Sequence, residues 1–263
     1  MNHRSGFGVQ VLLLAALYLF LYGPILYVIY VSFQIDSIWP FPPTLTLEHH
    51  TDLWQRRDYH AALWNSVTIG FGTGLIATLF ATLAAMAILK YRSPGSGLVA
   101  GLFLAPLFIA PILIGISSLM FSRTVLGMPG SIFGATLANS TYATAFALLV
   151  VLAQFARYDW RLDDAAMVFG ARPWRTFWEI TLPITWPAML GAFIVSFLLA
   201  FNNLEISFYN LGATPTLPTL AWGALRHGIS AELYALAAII NFAVFALFTV
   251  LYLLLRLGTI RID

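Results

Sequence analysis

The sequence predicts an all-α integral membrane protein with six transmembrane helices. Of its 263 residues, 60% are apolar and only 9% are charged, whereas a soluble domain carries about 25% charged residues. Six long apolar windows contain no Asp, Glu, Lys or Arg, and each is long enough for a membrane-spanning helix, which needs about 20 residues. The alternating polarity of membrane β-strands is absent from these windows, so helices are the predicted spanning elements.

The composition also excludes several classes of protein. The 13 basic and 11 acidic side chains are too few to cover a soluble domain of this size. A disordered chain and a nucleic-acid binder with a large basic patch are excluded for the same reason. The chain has no cysteine, which excludes disulfides, thiolate metal sites and cysteine nucleophiles.

The predicted spans follow the apolar windows and lie at about 8–34, 62–89, 98–122, 133–155, 184–206 and 232–256. The first window is too long for a signal-peptide core, so we expect an uncleaved span. Pro106, Pro111 and Gly115 interrupt the third span, which predicts either a break that lines a cavity or a simple kink. The charge-free window 206–225 contains two internal prolines and is predicted as a loop or re-entrant segment.

The placement of the basic residues predicts the orientation of the chain. With the N-terminus inside, nine of the 13 Lys and Arg residues face the cytoplasm, which favours cytoplasmic locations for both termini. In this topology residues 36–60 and 207–231 form outer loops, and residues 157–183 form the long cytoplasmic loop. The whole chain, 1–263, is then one transmembrane domain.

The cytoplasmic loop predicts two short helices joined by a tight bend. Asp163 is the predicted N-cap of the first helix, and Asp164 follows in its first turn, where the helix dipole favours an acid. Gly170 suits the end of that helix, and Pro173 suits the first turn of the second. Small residues in the loop allow another surface to approach closely.

This loop resembles the "EAA" loop of MetI-like ABC importer permeases. The pattern is carried by Asp164-Ala165-Ala166, Gly170-Ala171, Phe177 and Leu182-Pro183, with Asp in place of the usual Glu. In that family the loop forms a coupling helix that seats in a groove of the ATPase subunit. The resemblance therefore implies an ATPase-coupling surface formed by Asp164, Ala165, Ala166, Gly170, Ala171, Arg172, Trp174 and Phe177.

The resemblance extends over most of the chain. Residues 59–66, 111–115 and 201–207 are similar to segments of the polyamine (spermidine/putrescine) branch, and the loop pattern resembles its second, PotC-like, permease subunit. This implies an ABC type I importer permease fold in a bacterial inner membrane. It also implies a distinct second permease, two copies of a cytoplasmic ATPase and an external solute-binding protein. ATP and Mg would be bound by the ATPase, since this chain has no Walker A pattern, and no cofactor is expected here.

Five polar residues are the candidates for a substrate path: Asn202, Asn203, Glu205, Asn65 and Asn139. The polyamine branch typically has an Asp pair where Asn202 and Asn203 stand, and a His in place of Asn139. Carboxylates would offset the desolvation of a polycation, and most of them are missing here. The candidate solutes are polyamine-like amines, zwitterions and organic acids. Of these, the sequence thus disfavours a bare polycation. The open alternatives are helix–helix hydrogen bonding by Asn202 and Asn203 and a headgroup-level position for Glu205.

A rival function of a different class is a membrane-embedded, magnesium-dependent transferase. It would use the acidic cluster of Asp159, Asp163 and Asp164 in the cytoplasmic loop. A second rival is a passive channel, for which the long cytoplasmic loop has no evident use. We expect a transport subunit, with ATP hydrolysis in a partner chain, and no enzyme activity in this one.

Overall fold

The computed structural model describes residues 3–35, 43–91, 95–226 and 231–256. These residues form helices and turns, with one isolated antiparallel bridge between Gln34 and Leu45. The helices are α1 (His3–Ser32), α2 (Glu48–Gln55), α3 (Arg57–Leu89), α4 (Ser96–Leu104), α5 (Pro111–Thr124), α6 (Ile132–Phe155), α7 (Arg161–Val168), α8 (Pro173–Thr176), α9 (Leu182–Phe201), α10 (Glu205–Asn210), α11 (Leu217–Leu225) and α12 (Ala231–Arg256). A 3-10 turn, Ala105–Phe108, follows α4, and a π turn, Phe177–Thr181, precedes α9. The predicted all-α fold is confirmed.

Four helical segments are long and apolar enough to cross a membrane: Gln10–Ser32, Arg57–Leu89, Ile132–Phe155 and Pro173–Phe201. A bent pair, Ser96–Phe108 with Pro111–Thr124, makes a fifth if it is one span. The apolar described part of α12, Ala231–Ala246, is shorter. Each predicted span thus overlaps one or more helices, while six as the number of membrane crossings stays a prediction.

The predicted third span consists of two helices. The segment Ser96–Phe108 meets α5 at an angle of 107°. Pro106 lies at the start of the 3-10 turn, and Pro111 is the first residue of α5. Proline lacks an N–H and fixes φ, so it interrupts one helix and begins the next without loss of a hydrogen bond. The interruption is therefore a break and not a simple kink.

The predicted outer loops are described only in part, because residues 36–42 and 227–230 lie outside the described residues, as do residues 92–94 of an inner loop. Between residues 207 and 226 the chain completes α10 and forms α11. At 1.5 Å per residue neither helix can cross a bilayer of about 30 Å.

The chain divides into two compact units, Met1–Tyr59 with Gly223–Asp263, and His60–Trp222. In the first unit α12 packs against α1 and α2. Arg56 donates a hydrogen bond to Glu232 at 2.6 Å, and its guanidinium lies 5.1 Å from the centre of the Tyr59 ring. These contacts tie the end of α2 to the first turn of α12.

The second unit is built around small side chains. Its core contains Ala77, Ala81, Ala84, Ala85, Ala143, Ala147, Leu148, Val151, Phe155 and Ala192. Gly74 of α3 lies against the ring of Phe193 in α9, where an added Cβ would come within 2.8 Å of the ring. Small residues let helices in a membrane approach closely, and this unit carries both the predicted cytoplasmic loop and the cavity described below.

Candidate functional site

The residues of the predicted coupling surface lie at the junction of α7 and α8. Helix α7 ends in a Schellman motif, in which Ala171 N donates to Ala166 O and Gly170 N donates to Met167 O, both at 3.0 Å. Gly170 has φ +92°, a left-handed conformation that glycine adopts without steric cost. Pro173 then begins α8. The tight bend is as the sequence indicates, but the second helix is not a separate short one, because α8 continues through the π turn into α9 as one helical segment, Pro173–Phe201.

Large apolar side chains stand out from this junction. Phe169 is 91% exposed, Val168 is 85% exposed and Trp174 is 71% exposed. Of the predicted surface, Asp164, Ala165, Gly170, Arg172 and Trp174 are exposed, and Ala166, Ala171 and Phe177 are half-buried. Exposed apolar groups of this size mark a site of interaction with another protein or with the membrane. We call Val168, Phe169 and Trp174 the apolar tip of the loop.

Val168 and Phe169 are not among the residues that the sequence predicts for this surface. Their position in the sequence could have indicated their exposure, because both residues directly precede the glycine that ends α7. The Schellman motif turns the chain at Gly170. The side chains of Val168 and Phe169, just before this turn, are exposed.

The prediction that Asp163 caps α7 is wrong. The N-cap is Trp160, and it is Asp159 whose carboxylate accepts a hydrogen bond from Arg161 N, at 3.1 Å. Asp163 is fully buried, and its oxygens accept hydrogen bonds from Tyr158 and Lys90. Burial and the hydrogen bond to Asp163 raise the pKa of the Tyr158 hydroxyl above its ordinary value, so Tyr158 stays a hydrogen-bond donor at neutral pH.

The transferase alternative therefore loses its acidic cluster. Asp159 accepts a hydrogen bond from the backbone N–H of Arg161, Asp163 is hydrogen bonded inside the protein, and Asp164 is exposed. In the described ranges no three His, Asp or Glu side chains group together as metal ligands.

A cavity of about 580 Å³ opens where two helices are broken. On one side α9 ends at Phe201 and α10 begins at Glu205, and on the other side Pro111 starts α5 after the break in the third span. The cavity is lined by Pro111, Tyr142, Val195, Leu198, Leu199, Asn202, Asn203, Leu204 and Glu205. Irregular backbone within membrane segments is tolerated where it lines a cavity, and both helix breaks meet this condition here.

Three of the five predicted path residues, Asn202, Asn203 and Glu205, lie together at this cavity. Asn202 Nδ2 donates to Leu198 O at 3.1 Å, and Asn203 Oδ1 accepts from Ile206 N at 2.8 Å. The side chain of Glu205 is exposed and forms no ion pair with another described residue. The cavity thus combines an apolar wall with one carboxylate and two amides.

The other two predicted path residues, Asn65 and Asn139, do not line the cavity. Asn65 Nδ2 donates to Pro215 O at 2.8 Å. Asn139 Nδ2 donates to Ala135 O at 2.8 Å and contacts Ser207 Oγ at 3.2 Å. Asn139 thus links α6 to α10 through Ser207, and Asn65 links α3 to the segment that precedes α11.

Residues that hold the cavity in place were also missed. Asn210 Nδ2 donates to Gly115 O at 3.0 Å and lies 2.9 Å from Ser118 Oγ, which fastens α10 to α5. A Cβ on Gly115 would lie 3.1 Å from both Glu205 O and Ile206 Cα. Glycine at this position therefore lets the backbone that carries Glu205 approach α5.

Comparison with known proteins finds relatives among transport permeases. No family model matches the sequence. The putrescine transport system permease protein PotI of Escherichia coli (strain K12) is 29% identical over 248 residues, 92% of this chain and 88% of PotI. The spermidine/putrescine transport system permease protein PotC of the same strain is 26% identical over 238 residues, 90% of this chain and 88% of PotC. The trehalose transport system permease protein SugB of Mycobacterium tuberculosis is 28% identical over 166 residues, 63% of this chain and 60% of SugB.

Solved structures of the same fold come from an ABC transporter. A bacterial transporter involved in the import of the acidic polysaccharide alginate matches with a TM-score of 0.74 at 16% identity, over 97% of this chain and 98% of that one. A second structure, of an alginate transporter with a pentasaccharide-bound periplasmic protein, matches with a TM-score of 0.65 at 20% identity. The chain is thus homologous to permease subunits of ABC importers, and the transporter hypothesis is favoured over the transferase.

Proposed function

We propose that this permease homologue takes up a small amine-bearing organic solute that carries a single cationic group. It works in a bacterial inner membrane with both termini in the cytoplasm. One observation supports the solute class above all: Glu205, Asn202 and Asn203 converge on a cavity at two helix breaks. The solute arrives on an external binding protein and passes between this chain and a second, distinct permease subunit.

The charge of the cavity limits the charge of the solute. One carboxylate offsets one ammonium group, whereas each further cation of a polyamine would lose its water without a partner. An amide supplies both donors and an acceptor, so Asn202 and Asn203 suit the carboxylate or amide of a zwitterion. PotI and PotC are named for putrescine and spermidine, which supports an amine as the common element.

The apolar tip of the loop is the proposed docking surface for the ATPase. Val168 and Phe169 lie at the end of α7, where an ATPase groove can enclose them. Because of the tight turn at Gly170, α8 does not cover these two side chains. ATP binding closes two ATPase copies and moves the loop. The spans then rock as rigid bodies and open the cavity alternately to each side of the membrane.

Glu205→Gln is expected to weaken uptake of amine-bearing solutes. The substitution keeps size and hydrogen bonding but removes the charge, and a hydrogen bond to a charged group contributes about 1.5–3 kcal/mol. The apparent KM for uptake should therefore rise about tenfold or more. The measurement is uptake of radiolabelled solute by proteoliposomes that contain the full transporter.

Competition with matched probes identifies the solute class in the same assay. Putrescine, γ-aminobutyrate and butylamine have similar carbon chains and differ in charge. We expect γ-aminobutyrate or butylamine to compete better than putrescine, and the apparent affinity of all three to fall in E205Q, because each loses the partner of one ammonium group. Glu48→Gln is the matched control, because Glu48 is an exposed acid of α2 that does not line the cavity. Preference for putrescine or spermidine over the zwitterion would contradict the proposed solute.

A further inference from the structure

A carboxylate is buried at the base of the cytoplasmic loop. Asp163 is 0% exposed and lies in the first turn of α7. Tyr158 Oη donates to its Oδ1 at 2.6 Å, and Lys90 Nζ contacts its Oδ2 at 2.5 Å. Thr181 Oγ1 lies 3.0 and 3.1 Å from the two carboxylate oxygens. Both oxygens of Asp163 are thus engaged by other parts of the chain.

These three partners come from the cytoplasmic ends of three different long helices. Lys90 follows the last residue of α3, Tyr158 lies just beyond α6, and Thr181 ends the π turn that leads into α9. An aromatic wall covers the site, since Trp160 stands edge-on to Tyr158 and Lys90 Nζ lies 5.5 Å from the centre of the Trp160 ring. One carboxylate on α7 therefore joins the short helix to α3, α6 and α9 together.

Stability alone does not account for this arrangement. Replacing a buried ion pair by well-packed apolar residues is often neutral or stabilising, because both charges lose their water. A buried charge does, however, make relative motion costly, since any displacement leaves the carboxylate or the ammonium without a partner. Asp163 and Lys90 thus favour one fixed arrangement of α7 on the three helix ends.

The π turn at residues 177–181 is an independent observation at the same place. A π turn is a rare widening of a helix that frequently occurs at functional sites. Here its last residue, Thr181, is the one that bonds Asp163, and Thr181 O also accepts from Thr185 Oγ1 at 2.7 Å. The widened turn thus presents the threonine to the buried carboxylate and connects it to α9.

We propose that Asp163 and Lys90 are positioning residues that lock α7 to the cytoplasmic ends of α3, α6 and α9. Movement imposed on the apolar tip then reaches these helices as movement of one body. This proposal rests on the proposed docking of an ATPase at the tip. Without the Asp163–Lys90 pair, α7 moves with the ATPase but the long helices do not move with it. ATP hydrolysis is then no longer coupled to uptake.

The first test compares uptake with ATP hydrolysis in proteoliposomes that contain the assembled transporter. The double variant Lys90→Met with Asp163→Asn removes both charges, while Asn still accepts hydrogen bonds from Tyr158 and Thr181. We expect the ATPase to stay bound and to hydrolyse ATP at the wild-type basal rate. The amount of solute taken up per ATP should fall about tenfold, a typical size for a coupling factor. Lys90→Arg keeps the cation and is expected to retain uptake.

A merely structural role gives a different result. Thermal stability would fall in the double variant while solute per ATP stayed at the wild-type value, and that outcome overturns the proposal. If the double variant does not assemble, Tyr158→Phe and Thr181→Val each remove one hydroxyl from Asp163, and an unchanged ratio in both overturns it equally. A wild-type chain that purifies without any ATPase overturns the proposed function, and this proposal with it.

A distance measurement tests the lock directly. The chain has no cysteine, so spin labels can be attached at Leu162→Cys on α7 and Tyr91→Cys after α3, both exposed positions. With wild-type Lys90 and Asp163, we expect the same distance distribution with and without ATP in the assembled transporter. In the double variant the distribution should shift when ATP is added. A shift in the wild-type background would contradict movement as one body.

Discussion

Replacing Phe169 with alanine is expected to weaken binding of the ATPase about 30-fold. The side chain is 91% exposed at the end of α7, and a phenylalanine that becomes fully buried contributes roughly 2 kcal/mol. Each 1.4 kcal/mol is about a tenfold change in the dissociation constant. The measurement uses the tagged chain in detergent and the ATPase that copurifies with the wild-type protein, with its affinity determined by titration.

Phe108→Ala is the matched control for that experiment. Phe108 is 89% exposed and lies at the break between α4 and α5, away from the loop. It should leave ATPase affinity unchanged. Equal affinity of Phe169→Ala and wild type would show that the apolar tip is not the docking surface. Equal losses in both variants would point to a general effect of removing exposed aromatic groups.

The shape of the loop could be predicted from the sequence because its signals are local. Gly170 and Pro173 act through their own backbone conformations, left-handed φ in one case and a missing N–H in the other. Such signals need no knowledge of the rest of the fold. The bend between α7 and α8 therefore follows from a few adjacent residues.

The role of Asp163 could not be predicted in the same way. By local rules an acid near a helix start is a cap or a favourable charge for the dipole. Its burial depends on Lys90 and Thr181, which are distant in sequence and reach it only through the packing of α3 and α9. When tertiary structure brings two charged residues together, their separation in the sequence does not indicate the contact.

For the polar residues of the spans, too, one feature could be predicted from the sequence and another depends on tertiary packing. Polarity alone marked five side chains as candidates for a solute path. It could not separate Asn202, Asn203 and Glu205, which meet at the cavity, from Asn65 and Asn139, which hydrogen bond to other segments of the chain. That separation depends on where α9 stops, and no proline or glycine at residues 201–205 marks this end.

Gly115→Val is expected to abolish uptake while the ATPase stays bound. A Cβ at this position already lies 3.1 Å from Glu205 O and from Ile206 Cα, and valine adds two further methyl groups. Both obstructing atoms belong to the backbone, so α10 as a whole must move away from α5. Overpacking of this kind typically costs about 1–3 kcal/mol, which corresponds to a fall in melting temperature of roughly 5 °C.

Displacement of α10 matters for transport because this helix begins with Glu205 and is fastened to α5 by Asn210. Gly101→Val in α4 is the matched control, since nothing lies within 4 Å of a Cβ there. It should keep both uptake and melting temperature. Wild-type uptake by Gly115→Val would mean that the cavity tolerates a shift of its carboxylate, and the solute path would then have to be sought elsewhere in the chain. Loss of uptake with a bound ATPase, in contrast, places the effect of Gly115 in the cavity and not in docking.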